Sequence, residues 1–315
     1  MSSYEISSEQ QEEFLQKGYL ALPGAVPEEL LKRWQELAAR LERNALEAHA
    51  HHHHQLHGAC VFEDPVGPRL MRYDDILAID PQACLDLLAC PAMMAVAREL
   101  SGRGTVPLQM DILYKHQHPH PVIKWHQGAP HPRGYPYLNV GIYLDDAPPG
   151  DGCLRYVSGT QHHLVDIEQL SREHGWEIPG VVELPARAGD ILIQDMMILH
   201  GSQPKRTPGV RRTIYVEFRP IAGILETGDQ SERWAELRKK WMQLVLKSSH
   251  PGDWPEDWCA DYGESAEGDD DIIKAIVDER EPPTPAVYGV HSVETADYPV
   301  PSDMIDWQAF LDRQV

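Results

Sequence analysis

Apolar positions along this chain recur with two different periods. Through about residue 102 they return every three or four residues, the spacing of a helix with one buried face. In PEELLKRWQELAARLERNAL, Leu30, Trp34, Leu37 and Leu41 share such a face, Pro27 suits the first turn, and Glu28 and Glu29 suit the positive end of the helix dipole. SSEQQEEFLQKGY predicts a shorter helix, with Ser8 and Gln11 as a capping box and Gly18 as a stop after Lys17. PAMMAVAREL, from Pro91, predicts a third, closed by Gly102. After residue 103 the period shortens to two. Leu108, Met110, Ile112 and Tyr114 alternate with Gln109, Asp111 and Leu113. Leu138, Val140, Ile142 and Leu144 face one way in YLNVGIYLDD, GDILIQD makes a short buried strand after a turn at Gly189, and Ile214, Val216 and Phe218 alternate with Thr213, Tyr215 and Glu217. Helical spacing then returns in SERWAELRKKWMQLVL, where Trp234, Leu237, Trp241 and Leu244 line up.

Short strands joined by Gly/Pro turns, with no long helix between them, argue against a βαβ fold. They predict a mainly β fold with flanking helices, a sandwich or jelly roll. The expected organisation is a single domain: a helical region over 1–102, a β core over 103–220, and a helical and loop wrap over 221–315 whose tryptophans need burial.

Composition narrows the class. The 315 residues, 42% hydrophobic, suffice for one large core. No apolar run is long enough to span a membrane, and the acidic, polar N-terminus is not a secretory signal. Five cysteines (60, 84, 90, 153, 259) with no CxxC pair predict reduced thiols in a cytoplasmic protein. Net charge is -21, yet residues 103–220 hold 12 basic and 12 acidic side chains, so the excess acid lies outside the β core. Such a field disfavours nucleic acid polymers and anionic membranes, and would repel an acidic carrier protein, leaving a small-molecule substrate as the expected partner. The run His49, His51, His52, His53, His54, His57 predicts a solvated loop, because neighbours in sequence cannot all converge on one ion. A structural metal site or a mobile flap are its alternatives.

The chemistry concentrates in VIKWHQGAPHP and ILHGSQPKRTPGVRR. Residues i and i+2 of a strand face the same way, so His-x-Asp at a strand end aims both side chains at one metal, and a distant His on a neighbouring strand completes a facial triad. Here His126 is followed by Gly128, and His200 lies 74 residues further on. The carboxylate is missing. Asp195, five residues before His200, has an odd offset that points it elsewhere. Arg211, eleven residues after His200, offers a guanidinium fork for a carboxylate, and Arg212 must point to the opposite face.

These segments carry a resemblance. EEFLQKGYLALPGAVPEELLKRW, YKHQHPHPVIKWHQG, GCLRYVSGTQHH and GDILIQDMMILHGSQPKRTPGVRR resemble, in order, the N-terminal helix–strand–helix, first metal motif, Gly-Ser-His turn and second metal motif of the phytanoyl-CoA dioxygenase family of iron(II)/2-oxoglutarate oxygenases, over roughly residues 7–220. The resemblance implies a double-stranded β-helix (cupin-like jelly roll) as the catalytic core, His126 and His200 as iron ligands, Arg211 as the clamp on the far carboxylate of 2-oxoglutarate, and O2 as oxidant. Gly128 stands where the family has Asp. Glycine is expected to leave a pocket beside the metal for chloride, as Gly or Ala does in the related halogenases. The implied activity is chlorination of an unactivated C–H bond, with succinate and CO2 as co-products. The alternatives are a hydroxylase whose Asp ligand is replaced by Gly128, natural or engineered, and a non-catalytic binding protein on the same scaffold. Among the basic residues around the motifs, Lys115, Arg133 and Arg155 are the candidates for binding substrate, expected to be a small, anionic, nucleotide-like or amino-acid-like metabolite.

Overall fold

The computed structural model describes residues 4–52, 56, 58–64, 66–117, 123–228 and 230–279. Eleven strands form among them: β1 (Tyr19–Leu22), β2 (Ala59–Asp64), β3 (Gly67–Tyr73), β4 (Thr105–His116), β5 (Ile123–His126), β6 (Leu138–Tyr143), β7 (Leu154–Val157), β8 (Val181–Leu184), β9 (Ile191–Asp195), β10 (Leu199–Ser202) and β11 (Val210–Pro220). Seven pair antiparallel in the order β1-β9-β6-β11-β4-β3-β2, and four in the order β5-β10-β7-β8. The two sheets face each other, as the contact of β7 Tyr156 with β9 Gln194 shows. This is the double-stranded β-helix that the family resemblance implies, one of the sandwich or jelly-roll forms that the alternating segments allow.

The alternation decides what each face of the large sheet does. Val106, Leu108, Met110, Ile112 and Tyr114 of β4, with Ile214, Val216 and Phe218 of β11, are buried in the main core on the outer face. That core is completed by α2 (Glu28–His52), through Trp34, Leu37 and Leu41, and by a C-terminal helix, Glu232–Ser248, through Trp234, Leu237, Trp241 and Leu244. Each large side chain so buried contributes about 1.5–3 kcal/mol. Tyr114 meets its polar obligation by donating to Ala38 O at 2.9 Å. The intervening positions of β4 and β11 point inward, between the sheets, and these carry most of the two strands' charges, Arg212 being on the outer face.

Two local details differ from expectation. The first helix, α1 (Ser8–Lys17), is capped by Ser7 and Gln10, not Ser8 and Gln11. Both pairs have the right spacing, but the Gln11 amide is drawn inward to Ile6 O at 3.0 Å and Glu99 at 3.3 Å. The helix starting at Pro91 changes to a wider i→i+5 turn over Ala97–Ser101 before Gly102 ends it. Of the histidine run, His49 and His51 lie in the last turns of α2, while His53, His54 and His57 lie outside the described residues, as does the wrap expected beyond 279. No described helix is long and apolar enough to cross a membrane.

Candidate active site

The antiparallel register of β5 and β10 sets His126 opposite His200, with ring centroids 4.0 Å apart. Each imidazole is fixed in the same way: Nδ1 lies 2.8 Å from Lys124 O in His126 and 2.9 Å from Ile198 O in His200. A carbonyl only accepts, so Nδ1 carries the proton and Nε2 keeps its lone pair. Burial pushes both pKa values down, and His200 well down, with the neighbouring His126 adding to the burial effect there. Both rings are therefore neutral at neutral pH, the form that ligates metal.

Gln194 of β9 approaches the same centre. Tyr156 donates to its Oε1 at 2.8 Å, which leaves the amide N–H to donate to His200 Nε2 at 2.9 Å. A metal ion taking that lone pair displaces this hydrogen bond.

Gly128 is not beside an open pocket of its own making. Its N–H donates to Met196 O at 2.7 Å, and a Cβ placed on it would lie 2.7 Å from that oxygen and 2.9 Å from Met196 Cε. The direction a Cβ would take is filled by Met196, although the backbone of Gly128 borders the cavity in front of the histidines. Among the described residues no group of three His, Cys, Asp or Glu side chains converges to hold a metal. The Asp195 carboxylate is engaged by His131 Nε2 at 2.9 Å and Met197 N–H at 2.8 Å.

Further along the interior, β4 and β11 place Lys115 opposite Arg211, each 1% exposed. Arg211 Nη1 donates to Gly152 O, while its Nε and Nη2 have no partner among the described residues. Lys115 Nζ donates to Ser202 Oγ at 2.6 Å. Burial, then the neighbouring guanidinium, pushes the Lys115 ammonium well below its ordinary pKa. The nearby Asp151 cannot neutralise the pair, being engaged by Lys205 at 3.0 Å and Thr207 at 2.6 Å. Gly152 (φ +78°) permits this crowding, since a Cβ there would lie 2.7 Å from Lys115 Cε. The buried Arg211 guanidinium without a counter-ion costs several kcal/mol, its two orphaned nitrogens mark where an anion would dock, and such an anion would also favour the charged form of Lys115. Ser202 follows His200 by two residues on β10, about 7 Å along a strand and close to the length of a five-carbon diacid. Arg212 points the other way, paired with Asp145 at 2.7 Å.

A cavity of about 410 Å³ opens in front of the histidines, bounded by Gly128, Leu154, Gln194 and Tyr215. Lys115, Arg133 and Arg155 are not on its wall. Lys115 sits at the anion end; Arg133 donates to Gln161 O; Arg155 leaves the opposite face of β7 from Leu154 and Tyr156 to meet Glu177 at 3.1 Å. The wall instead carries Arg72, Asp111, Glu217 and Arg219. Sequence reasoning did not single out these four or Gln194. The available signal was polar residues alternating with apolar ones in β4 and β11, which does not distinguish solvent from an enclosed cavity.

A family model described as phytanoyl-CoA dioxygenase (PhyH) matches residues 14–213. A methylphosphonate hydroxylase from Gimesia maris is 26% identical over 255 residues, covering 76% of this chain and 89% of that protein. An L-proline trans-4-hydroxylase from Streptomyces griseoviridis is 28% identical over 110 residues, 30% of this chain and only 39% of that protein's length. HygX from Streptomyces hygroscopicus, solved with nickel and 2-oxoglutarate bound, is similar in fold, with a TM-score of 0.53, 22% identity, and coverage of 68% of this chain and 87% of that one.

Proposed function

This chain belongs to the phytanoyl-CoA dioxygenase family of iron(II)/2-oxoglutarate-dependent oxygenases, and on that premise we propose that it is a halogenase. One observation carries the proposal: two tautomer-fixed imidazoles face each other, no third protein ligand joins them among the described residues, and position 128 is closed to a side chain by Met196. His126 and His200 would hold iron(II) through Nε2. Arg211, with Lys115 held beside it by Ser202, would hold the far carboxylate of 2-oxoglutarate, which would supply the counter-charge that the buried guanidinium lacks. With one protein carboxylate fewer than a facial triad, the site carries one more positive charge and accepts a halide as its anionic ligand.

Iron(II) with bound 2-oxoglutarate and O2 supplies the oxidising power for C–H functionalisation. The balanced reaction takes substrate C–H, chloride, a proton, 2-oxoglutarate and O2 to C–Cl, succinate, CO2 and water. The protein's contributions are neutral ligands held in one orientation, an anion seat at a fixed distance along β10, and a cavity that sets which C–H bond faces the metal. Two relatives are hydroxylases by name, which favours hydroxylation as the second outcome. The outcomes separate by experiment. With iron(II), 2-oxoglutarate, O2 and an accepted substrate, the product should carry chlorine in chloride buffer and bromine in bromide buffer. A product carrying only hydroxyl, whatever the halide, makes the protein a hydroxylase.

A further inference from the structure

The inward face of the β4–β11 ladder changes sign along its length. Lys115 opposite Arg211 makes one end cationic; Leu113 opposite Thr213 is neutral; Asp111 opposite Tyr215, followed by Glu217, makes the other end acidic. The cationic end is accounted for by 2-oxoglutarate. The acidic end lines the cavity in front of His126 and His200 and is assigned no partner by that chemistry.

The charges at this end do not cancel. Arg72 is paired with Asp74 at 2.7 Å, and Arg219 with Glu217 at 2.7 Å. Arg219 also lies over the Tyr137 ring at 4.6 Å, which holds its guanidinium against the wall. Asp111, 9% exposed, has no hydrogen bond or ion pair among the described residues, and only the longer-range field of Arg72 favours its charge. A recess that shares Asp111 with the cavity is lined by four carboxylates and three guanidiniums, so an ionised Asp111 leaves one negative charge in excess. Burial raises Asp111 to about 7, the mark of a carboxylate that has lost water without gaining a partner. An anion placed here would add to the excess, whereas a cation would cancel it.

We infer that Asp111 is the specificity-determining residue of the substrate site, accepting a cationic nitrogen (ammonium or guanidinium) of a small amine-bearing metabolite. The inference rests on the oxygenase function proposed above for the position of the metal, and it replaces the anionic substrate suggested by Lys115, Arg133 and Arg155. Glu217 and Arg219, already paired, form the polar wall beside it and leave Asp111 as the free acceptor.

The test is calorimetric titration, without oxygen, of the full chain loaded with nickel(II) and 2-oxoglutarate. The probes are L-lysine, L-arginine and putrescine, set against L-glutamate and adenosine monophosphate. At least one cationic probe should bind wild type more tightly than both anions. Asp111→Asn should weaken that probe by roughly tenfold or more, the worth of a charge-assisted hydrogen bond, while nickel and 2-oxoglutarate titrate as before. Asp111→Glu should recover most of the loss. No binding by any cationic probe, or tighter binding by an anion, overturns the inference, as does equal binding by Asp111→Asn. Failure of wild type to bind nickel and 2-oxoglutarate overturns the oxygenase function itself, and the inference with it; that result is visible before any probe is added.

Discussion

At position 128 the missing carboxylate and the local packing tell different stories. The sequence shows a His-x-Gly where His-x-Asp would complete an iron site, and the loss of a side chain there suggests a pocket. Met196 occupies the direction a Cβ would take, its carbonyl accepting from Gly128 N–H at 2.7 Å, while the glycine backbone borders the cavity. The position is therefore fitted to glycine. Gly128→Ala should destabilise the fold by about 1–3 kcal/mol through the clash with Met196 O, seen as a lowered melting temperature; an unchanged value would show that the strand end yields freely. Gly128→Asp needs the same displacement, so it should not restore a triad without moving Met196. Arg211 tests the other end. Arg211→Lys keeps the charge but loses the fork, and should weaken 2-oxoglutarate by roughly 10- to 100-fold while leaving metal binding intact. Equal weakening of both would place Arg211 in the metal site instead. That His126 and His200 meet, and that Arg211 turns inward while Arg212 turns out, was legible because it depends on spacing along strands. The placing of Lys115 beside Arg211, and the presence of Gln194 and Asp111 in the site, were not, because they depend on which strands become neighbours, and on whether a polar face meets water or a cavity.

Among the elements, strong periodicity was the reliable guide. β4, β6, β9, β11 and the Trp-rich C-terminal helix lie where alternation or helical spacing puts them. The β2–β3 hairpin was missed, since a register shift between Cys60 and Val61 and the prolines around its turn break the alternation. Trp241, 2% exposed between the C-terminal helix and β4, should cost about 3–5 kcal/mol when changed to alanine, measured by denaturant midpoint. His116 at the end of β4 makes the fold sensitive to acid. Its Nε2 lies 2.7 Å from Leu70 O, and burial lowers its pKa from 6.5 to about 4. As pH falls through about 6.5 the unfolded chain takes up this proton and the folded chain does not, so stability drops by up to about 1.4 kcal/mol per unit until about pH 4. His116→Gln keeps a donor that does not titrate. Its melting temperature should approach that of wild type between about pH 7 and about pH 5; a constant gap would contradict the assignment.

Over the whole molecule, the net charge of -21 leaves the β core neutral, and the core's interior sorts that neutrality into a cationic end and an acidic end with the histidines facing between. Composition could reveal the first division but not the second, which arises only when β4 and β11 pair. The main apolar core lies on the outer face of the large sheet, away from the histidines, so the fold should stand without metal. A chelator should abolish 2-oxoglutarate turnover while far-ultraviolet circular dichroism stays unchanged; loss of secondary structure would make the metal structural. The central claim is that a halide completes the coordination begun by His126 and His200. It is tested most directly by anomalous diffraction from oxygen-free crystals holding iron(II), 2-oxoglutarate and bromide. A bromide peak at bonding distance from an iron held by both histidines is the predicted result. Iron on the same two histidines with water or a protein side chain in that position, and bromide elsewhere, would contradict it.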